Sequence, residues 1–219
     1  MNIKKRYWDL LELRDKIREP LPVFTVKDSP KDWMKNPTIK IITQKLTENS
    51  SILDIGAGDR RLKVILEDVF QKKLNNYFSL DIDEKYKHDY KDICEIKGNF
   101  DAIFLMELLE HLYFEEGIAL LEKAYSLLKP GGYIFISTPN INHANQLWRS
   151  DITHIQQWPS RDLYAILRLI GFQKIEGYRI LLIPNRINLK LHIKFFLKKL
   201  LCKVLDLDYA HGIFFIAQK

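Results

Sequence analysis

The stretch SILDIGAGDRRL, residues 51–62, constrains the chain more than any other. A short apolar run meets two glycines separated by one alanine, and a charged segment with helical spacing follows. An apolar run without polar alternation is a strand covered on both faces, as in a parallel sheet. The turn at its carboxyl end is where open sheets of this kind bind ligands. Gly56 and Gly58 allow tight turning and close approach of backbone to a ligand. The third glycine of a dinucleotide fingerprint is missing, because Arg60 and Arg61 follow. The turn therefore holds something other than a dinucleotide, or it holds nothing.

Residues 1–19 read as a helix ended by EPLP at 19–22. A loop with Pro22, Pro30 and Pro37 follows, then a second helix near 38–48. Beyond Ser51 strands and helices alternate. DRRLKVILEDVFQKKL places Leu62, Ile65, Leu66, Val69 and Phe70 at helical spacing, and FEEGIALLEKAYSLL does the same with Phe114, Ile118, Leu121, Tyr125 and Leu128. KPGG stops the second of these. SRDLYAILRLIG reads as a helix with Ser160 as N-cap and Gly171 at its end. SILDI, NYFSLDI, FDAIFLM, YIFIST, FQKIEGYRILLI and GIFFIAQ read as strands. Such alternation predicts an α/β three-layer sandwich with a mostly parallel sheet and right-handed crossovers. The last two strands lack the usual crossover, so the last is expected to run antiparallel. Residues 1–50 are expected to form an N-terminal helical cap or lid. Residues 51–219 form the main domain, with a helical insert at about 185–209.

Charge is concentrated in one place. Arg186, Lys190, Lys194, Lys198, Lys199 and Lys203 lie together without an acid, and they equal the net charge of +6 of all 219 residues. The rest of the chain is neutral, which argues against a general nucleic-acid binder. On a helical wheel Leu189, Ile193, Phe196, Leu200 and Val204 form one apolar stripe between these cations, and Leu191, Phe195 and Cys202 a smaller one. The segment either caps a pocket or lies on an anionic membrane surface as a peripheral contact through 186–205. No apolar run reaches transmembrane length, and the first residues lack the apolar block of a secretory signal. Cys94 and Cys202 make no framework, which fits free thiols and a cytoplasmic location.

One further carboxylate gives the glycine turn a meaning. Asp81, in SLDID, ends the next strand about 25 residues after the glycines, where it can accept from two vicinal ribose hydroxyls. LDIGAGDR, SLDID, YKDI, FDAIFLMELLEHL, LLKPGGYIFISTPN and HIQQWPSRDLYAILRLIGF stand in an order that resembles the class I S-adenosylmethionine-dependent methyltransferases over roughly residues 50–183. The resemblance implies a seven-stranded Rossmann-like sheet and S-adenosylmethionine as cofactor, with S-adenosylhomocysteine as product. It implies that Gly56 and Gly58 pass under the methionine part and that Asp54 braces the loop or reaches the amino group. Asp81 would hold the ribose and Ile82 the adenine face. Asp92 and Ile93 would meet the adenine edge, and Met106 the methionine part. Only 16 residues separate Asp83 from Phe100. The helix usual there is expected to shrink to a turn, and the third strand to a stub around HDYKDI.

Methyl transfer needs a base only where the acceptor must lose a proton. His154, in SDITHIQQWP, and His111, in ELLEHL, are the candidates, with His143 less favoured; Glu110 could orient a base. No metal is expected. The stretch around His154 is similar to a D-x-T-H pattern of small bacterial methyltransferases acting on surface glycans, which implies an oxygen of a saccharide or small molecule as acceptor. The absence of an NPPY-type motif removes the usual signature for methylating a nucleic-acid base nitrogen. A quinone or secondary-metabolite acceptor is the first alternative, and a binding-only protein the second. Tyr7, Trp8 and Trp33 are expected to wall the acceptor site.

Overall fold

The computed structural model describes residues 3–28, 35–184 and 207–219, with 193, 196, 197, 200, 201, 204 and 205 between them. In chain order the elements are α1 (Tyr7–Arg14), β1 (Val23–Asp28), α2 (Pro37–Lys45), β2 (Ile52–Ile55), α3 (Arg61–Phe70) and β3 (Tyr77–Leu80). Then follow β4 (Phe100–Met106), α4 (Phe114–Leu127), β5 (Leu128–Pro139), α5 (Ser160–Ile170), β6 (Gln173–Pro184) and β7 (Gly212–Gln218).

The strands form one seven-stranded sheet in the order β1-β6-β7-β5-β4-β2-β3. All pairings are parallel except those of β7, which runs antiparallel to both β5 and β6. Alternate strand residues face opposite layers. Leu53, Ile55, Ile103, Leu105, Ile134 and Ile136 join one core with residues of α1, α4 and α5. Ile52, Ala102, Phe104, Phe135 and Phe214 join a second with α2 and α3. These are the three expected layers.

The count of seven is reached by an unexpected route. The third strand is a stub, as its short span predicted: Tyr90 makes a single parallel bridge to Leu80, and Asp89 and Tyr90 donate to the Ser79 carbonyl at 3.0 and 3.1 Å. The seventh strand is β1, in the stretch read as loop, paired along β6 from Val23–Arg179 to Asp28–Pro184. Two boundary readings also change. Ser160 is the first helical residue, not the N-cap, and its hydroxyl bonds Glu19. Asn36 caps α2 by accepting from the Thr38 amide at 2.9 Å, with Pro37 at the first helical position.

α1 packs against α5, held by Arg14–Asp162 at 2.9 Å and by Arg161 with Asp15. Tyr7 and Trp8 stay exposed there. Trp33 and Pro30 lie outside the described residues, as do Arg186, Leu189, Lys190, Leu191, Lys194, Phe195, Lys198, Lys199, Cys202 and Lys203 of the basic insert. Within the stripe, Ile193, Phe196, Leu200 and Val204 are exposed. No helix among the described residues is long and apolar enough to cross a membrane.

Candidate active site

Chain order reverses between β2 and β4, which opens a crevice at their carboxyl ends. The glycine turn lies at its floor. Gly56 and Gly58 take φ of +75° and +48°, the left-handed region that favours glycine. A Cβ on Gly56 would meet the Leu108 side chain at 2.9 Å, whereas one on Gly58 would enter open space. Asp81 grips the turn, accepting from the Gly58 amide at 2.7 Å and from Asp83 at 2.9 Å. Beside it Ile82 is 84% exposed, a large apolar side chain left open at the crevice rim. Asp92 caps the short turn Ile93–Glu95 by accepting from the Cys94 amide at 2.8 Å.

Arg60, in place of the missing glycine, has φ +59°, a cost for a side-chain-bearing residue. Its guanidinium turns to the β3 side, donating to the Lys87 carbonyl at 3.1 Å and pairing with Asp89 at 3.4 Å. Asp89 also accepts from the Ser79 amide and hydroxyl at 2.8 and 2.9 Å. Arg60 therefore clamps the shortened connection that replaces the missing helix.

Asp54 is buried and accepts from the Tyr77 hydroxyl. Burial pushes its carboxyl from 3.8 up to about 6; Tyr77 opposes the shift, Asp81 adds to it and Arg60 opposes it. The folded state thus holds a proton that the unfolded chain releases between about pH 4 and 6. Asp54's contribution to stability is full below about pH 4 and is lost as pH rises through 6, by about 3 kcal/mol in all. Thermal melts of the ligand-free protein should show Asp54→Asn gaining on the native chain between pH 4 and 7. A difference that is flat with pH would refute the assignment.

A second cluster lies after β4. Glu107 has φ +50°, strain of the kind that collects at functional turns. Its amide donates to the Ser137 carbonyl and hydroxyl at 3.0 and 3.1 Å. Glu107 reaches solvent, but the protein packed around its carboxyl raises its pKa, while Ser137, His154, Glu110 and His111 oppose the shift. Glu110 is fully buried, and its two carboxylate oxygens make no hydrogen bond of normal geometry, with Thr138 and Glu107 as their near polar neighbours. Burial, then Glu107, push it up to about 8.

The loop after β5 brings His154 to this place. Asp151 closes an Asx turn, accepting from the Thr153 amide at 2.8 Å and hydroxyl at 2.6 Å, which presents His154 next in the chain. The Ile155 and Gln156 amides donate to the Glu110 carbonyl at 2.7 and 3.1 Å, and the Trp158 indole to the Leu109 carbonyl at 2.9 Å. His111 and His154 then stand edge to face with ring centroids 5.0 Å apart. The structure thus brings together both predicted bases and Glu110. His143 is not in this group: it is buried, accepts from the Asn145 amide at 3.1 Å and lies against His211.

A cavity of about 600 Å³ adjoins the cluster. Met106, Glu107 and Ser137 line it, together with Ile39 and Ile42 of α2, Leu62 and Ile65 of α3 and Phe214 of β7. α2 is therefore a wall, whereas α1 lies in the opposite layer. Sequence reading passed over Glu107, Tyr77 and Asp89. Only Glu107 carried a signal, as the first acid of the string ELLEH directly after a strand.

A family model described as Methyltransferase domain matches residues 28–176. Ubiquinone biosynthesis O-methyltransferase of Xanthomonas campestris pv. campestris (strain B100) is 47% identical over 47 residues, 22% of this chain and 19% of that protein. The protein of that name from Chromobacterium violaceum is 30% identical over 106 residues, 42% of this chain and 45% of that one. The chain thus spans less than half the length of these curated relatives. Among solved structures, a SAM-dependent methyltransferase from Archaeoglobus fulgidus superposes with TM-score 0.63 at 20% identity, over 83% of this chain and 91% of that one. A Burkholderia thailandensis 1,6-didemethyltoxoflavin-N1-methyltransferase, solved with that compound and S-adenosylhomocysteine, gives 0.54 at 17% identity over 87% and 79%.

Proposed function

The chain belongs to the methyltransferase-domain family, and from that premise we propose that it moves a methyl group from S-adenosylmethionine to a hydroxyl oxygen of a small molecule with an apolar body. The crevice fits the cofactor. It offers carboxylates and backbone groups to a ligand that has a ribose, an ammonium and no phosphate. Asp81 takes the ribose hydroxyls, the exposed Ile82 covers the adenine, and Asp92 with Ile93 meets the adenine edge. Gly58, with open space where a Cβ would stand, would admit the methionine part, and Asp54 and Met106 would be its other neighbours. When bound, the cofactor supplies a sulfonium methyl carbon that an oxygen nucleophile accepts, the electron pair staying on sulfur.

The cavity carries the choice of acceptor. Its walls are mostly aliphatic, with Phe214 among them and Asn36, Thr38, Arg61, Glu107, Ser137 and His211 as the polar members, which suits an apolar ring or chain carrying a few polar groups better than a saccharide, whose hydroxyls need many polar partners. The O-methyltransferase names of the relatives agree with an oxygen acceptor. The D-x-T-H pattern, read from sequence as a glycan signature, has a local explanation as the turn that presents His154. Glu107 is the member of the cluster that lines the cavity, so the hydroxyl proton passes to it.

Labelled S-adenosylmethionine incubated with parallel panels of apolar phenols and of saccharides tests this reading. Label is expected in the phenol panel. Label in the saccharide panel alone would overturn the acceptor class. As a control, Asp81→Ala should weaken S-adenosylhomocysteine binding by at least about 10²-fold, since hydrogen bonds to a charged group contribute about 1.5–3 kcal/mol each. Unchanged calorimetry would remove Asp81 from the cofactor site.

A further inference from the structure

We infer that Glu110, His111 and His154 form a binding site for one first-row divalent cation of the Zn²⁺ or Mn²⁺ type. Each offers a ligand atom, and the three atoms lie within 4.8 Å of one another. A cation bonded at about 2.1 Å separates neighbouring donors by about 3–3.5 Å, so small side-chain rotations close the set.

Three independent features point the same way. Both imidazoles face backbone carbonyls through Nδ1, His111 to Thr153 at 3.2 Å and His154 to Trp148 at 2.7 Å. Carbonyls accept, so each Nδ1 donates, and Nε2 is the ring nitrogen left to meet a cation. Metal-binding histidines are oriented in this way. Glu110 supplies the second feature. Its carboxyl is fully buried, makes no hydrogen bond of normal geometry and has only Thr138 and a second carboxyl, Glu107, as near polar neighbours; that is costly, and a cation at its oxygens lowers the cost. The third is the rigidity of the frame. The Glu110 carbonyl accepts from both Ile155 and Gln156, which ties the His154 loop to the Glu110–His111 turn.

Two imidazoles suit Zn²⁺, and the carboxylate beside them also admits the harder Mn²⁺, whereas Mg²⁺ and Ca²⁺ prefer all-oxygen sites. The Asp151 carboxylate lies 4.0 Å from His154 Nε2 and can complete the set or leave a position open. The cluster borders Glu107, which lines the cavity. A Lewis acid there would lower the pKa of an acceptor hydroxyl. That last use rests on the methyl-transfer reading, whereas the cation site itself does not.

The test titrates Zn²⁺ and Mn²⁺ alone into the chelator-treated full chain by calorimetry, with neither cofactor nor acceptor present. The expected result is one saturable equivalent per chain and a raised melting temperature. Glu110→Gln, His111→Gln and His154→Gln should each weaken binding by at least about 10²-fold. Co²⁺ substitution gives a second readout, a visible absorption band present in the native chain and lost in the variants. Should Glu110→Gln fail to fold by circular dichroism, the two histidine variants decide. No saturable binding, or equal affinity in folded variants, overturns the site and leaves the methyl-transfer reading untouched. Binding by a chain that methylates nothing overturns the latter alone.

Discussion

Replacing His154 by alanine is expected to lower turnover by about 10²–10⁴-fold, the range for disturbing a positioned acid–base group, because His154 bears electrostatically on Glu107, which takes the hydroxyl proton. The assay uses the acceptor selected by the labelled-methyl screen. S-Adenosylhomocysteine affinity should change little. The described contacts of His154 are with Trp148, Asp151 and His111, and none is with the glycine turn or Asp81. Stability should also hold, because the Ile155 and Gln156 amides and the Trp158 indole keep the loop in place without the imidazole. The effect should therefore fall on kcat with the cofactor site intact. His111→Ala should act in the same direction, and the double variant should lose less than the product of the two, because the rings work as one cluster. Full turnover in His154→Ala would remove the loop after β5 from the chemistry.

How much of this was legible follows from how far apart in the chain the partners lie. The glycine turn, the strands around it and Asp81 are local, so their order and spacing were legible and carried the resemblance that implied the cofactor. The stub at Tyr90 was legible too, because 16 residues between Asp83 and Phe100 cannot hold both a helix and a strand. β1 was not. VFTVKD sits among prolines, and its hydrogen-bonding partner is β6, about 150 residues later. Arg60 posed a local question that had a distant answer, Asp89. The D-x-T-H turn marked His154, but its meeting with Glu110 depends on backbone hydrogen bonds across 45 residues. Sequence reading had Glu110, His111 and His154 as separate fragments, and only the fold brings their polar atoms within 4.8 Å of one another.

Trp158→Ala is expected to destabilise the fold by about 3–5 kcal/mol, the range for removing a large core aromatic. Trp158 is only 2% exposed. Its ring stacks on Phe114 with centroids 5.8 Å apart, and its indole N–H is bonded to the Leu109 carbonyl at 2.9 Å. The ring also occupies the space above Gly117, where an added Cβ would stand 2.5 Å from Cζ2. Alanine leaves a cavity between α4 and the loop and leaves the Leu109 carbonyl without its donor. Trp158→Phe keeps a ring but loses the donor, so it should fall between alanine and the native residue. Gly117→Val attacks the same contact from the other side, by overpacking. Urea unfolding measures all three. If Trp158→Ala cost less than about 1 kcal/mol, the ring would not be the wedge that holds this loop to the Leu109–Glu110 turn. If the cost is as expected, the same variant should also lose turnover, because the indole holds the loop that carries His154 to His111 and Glu110.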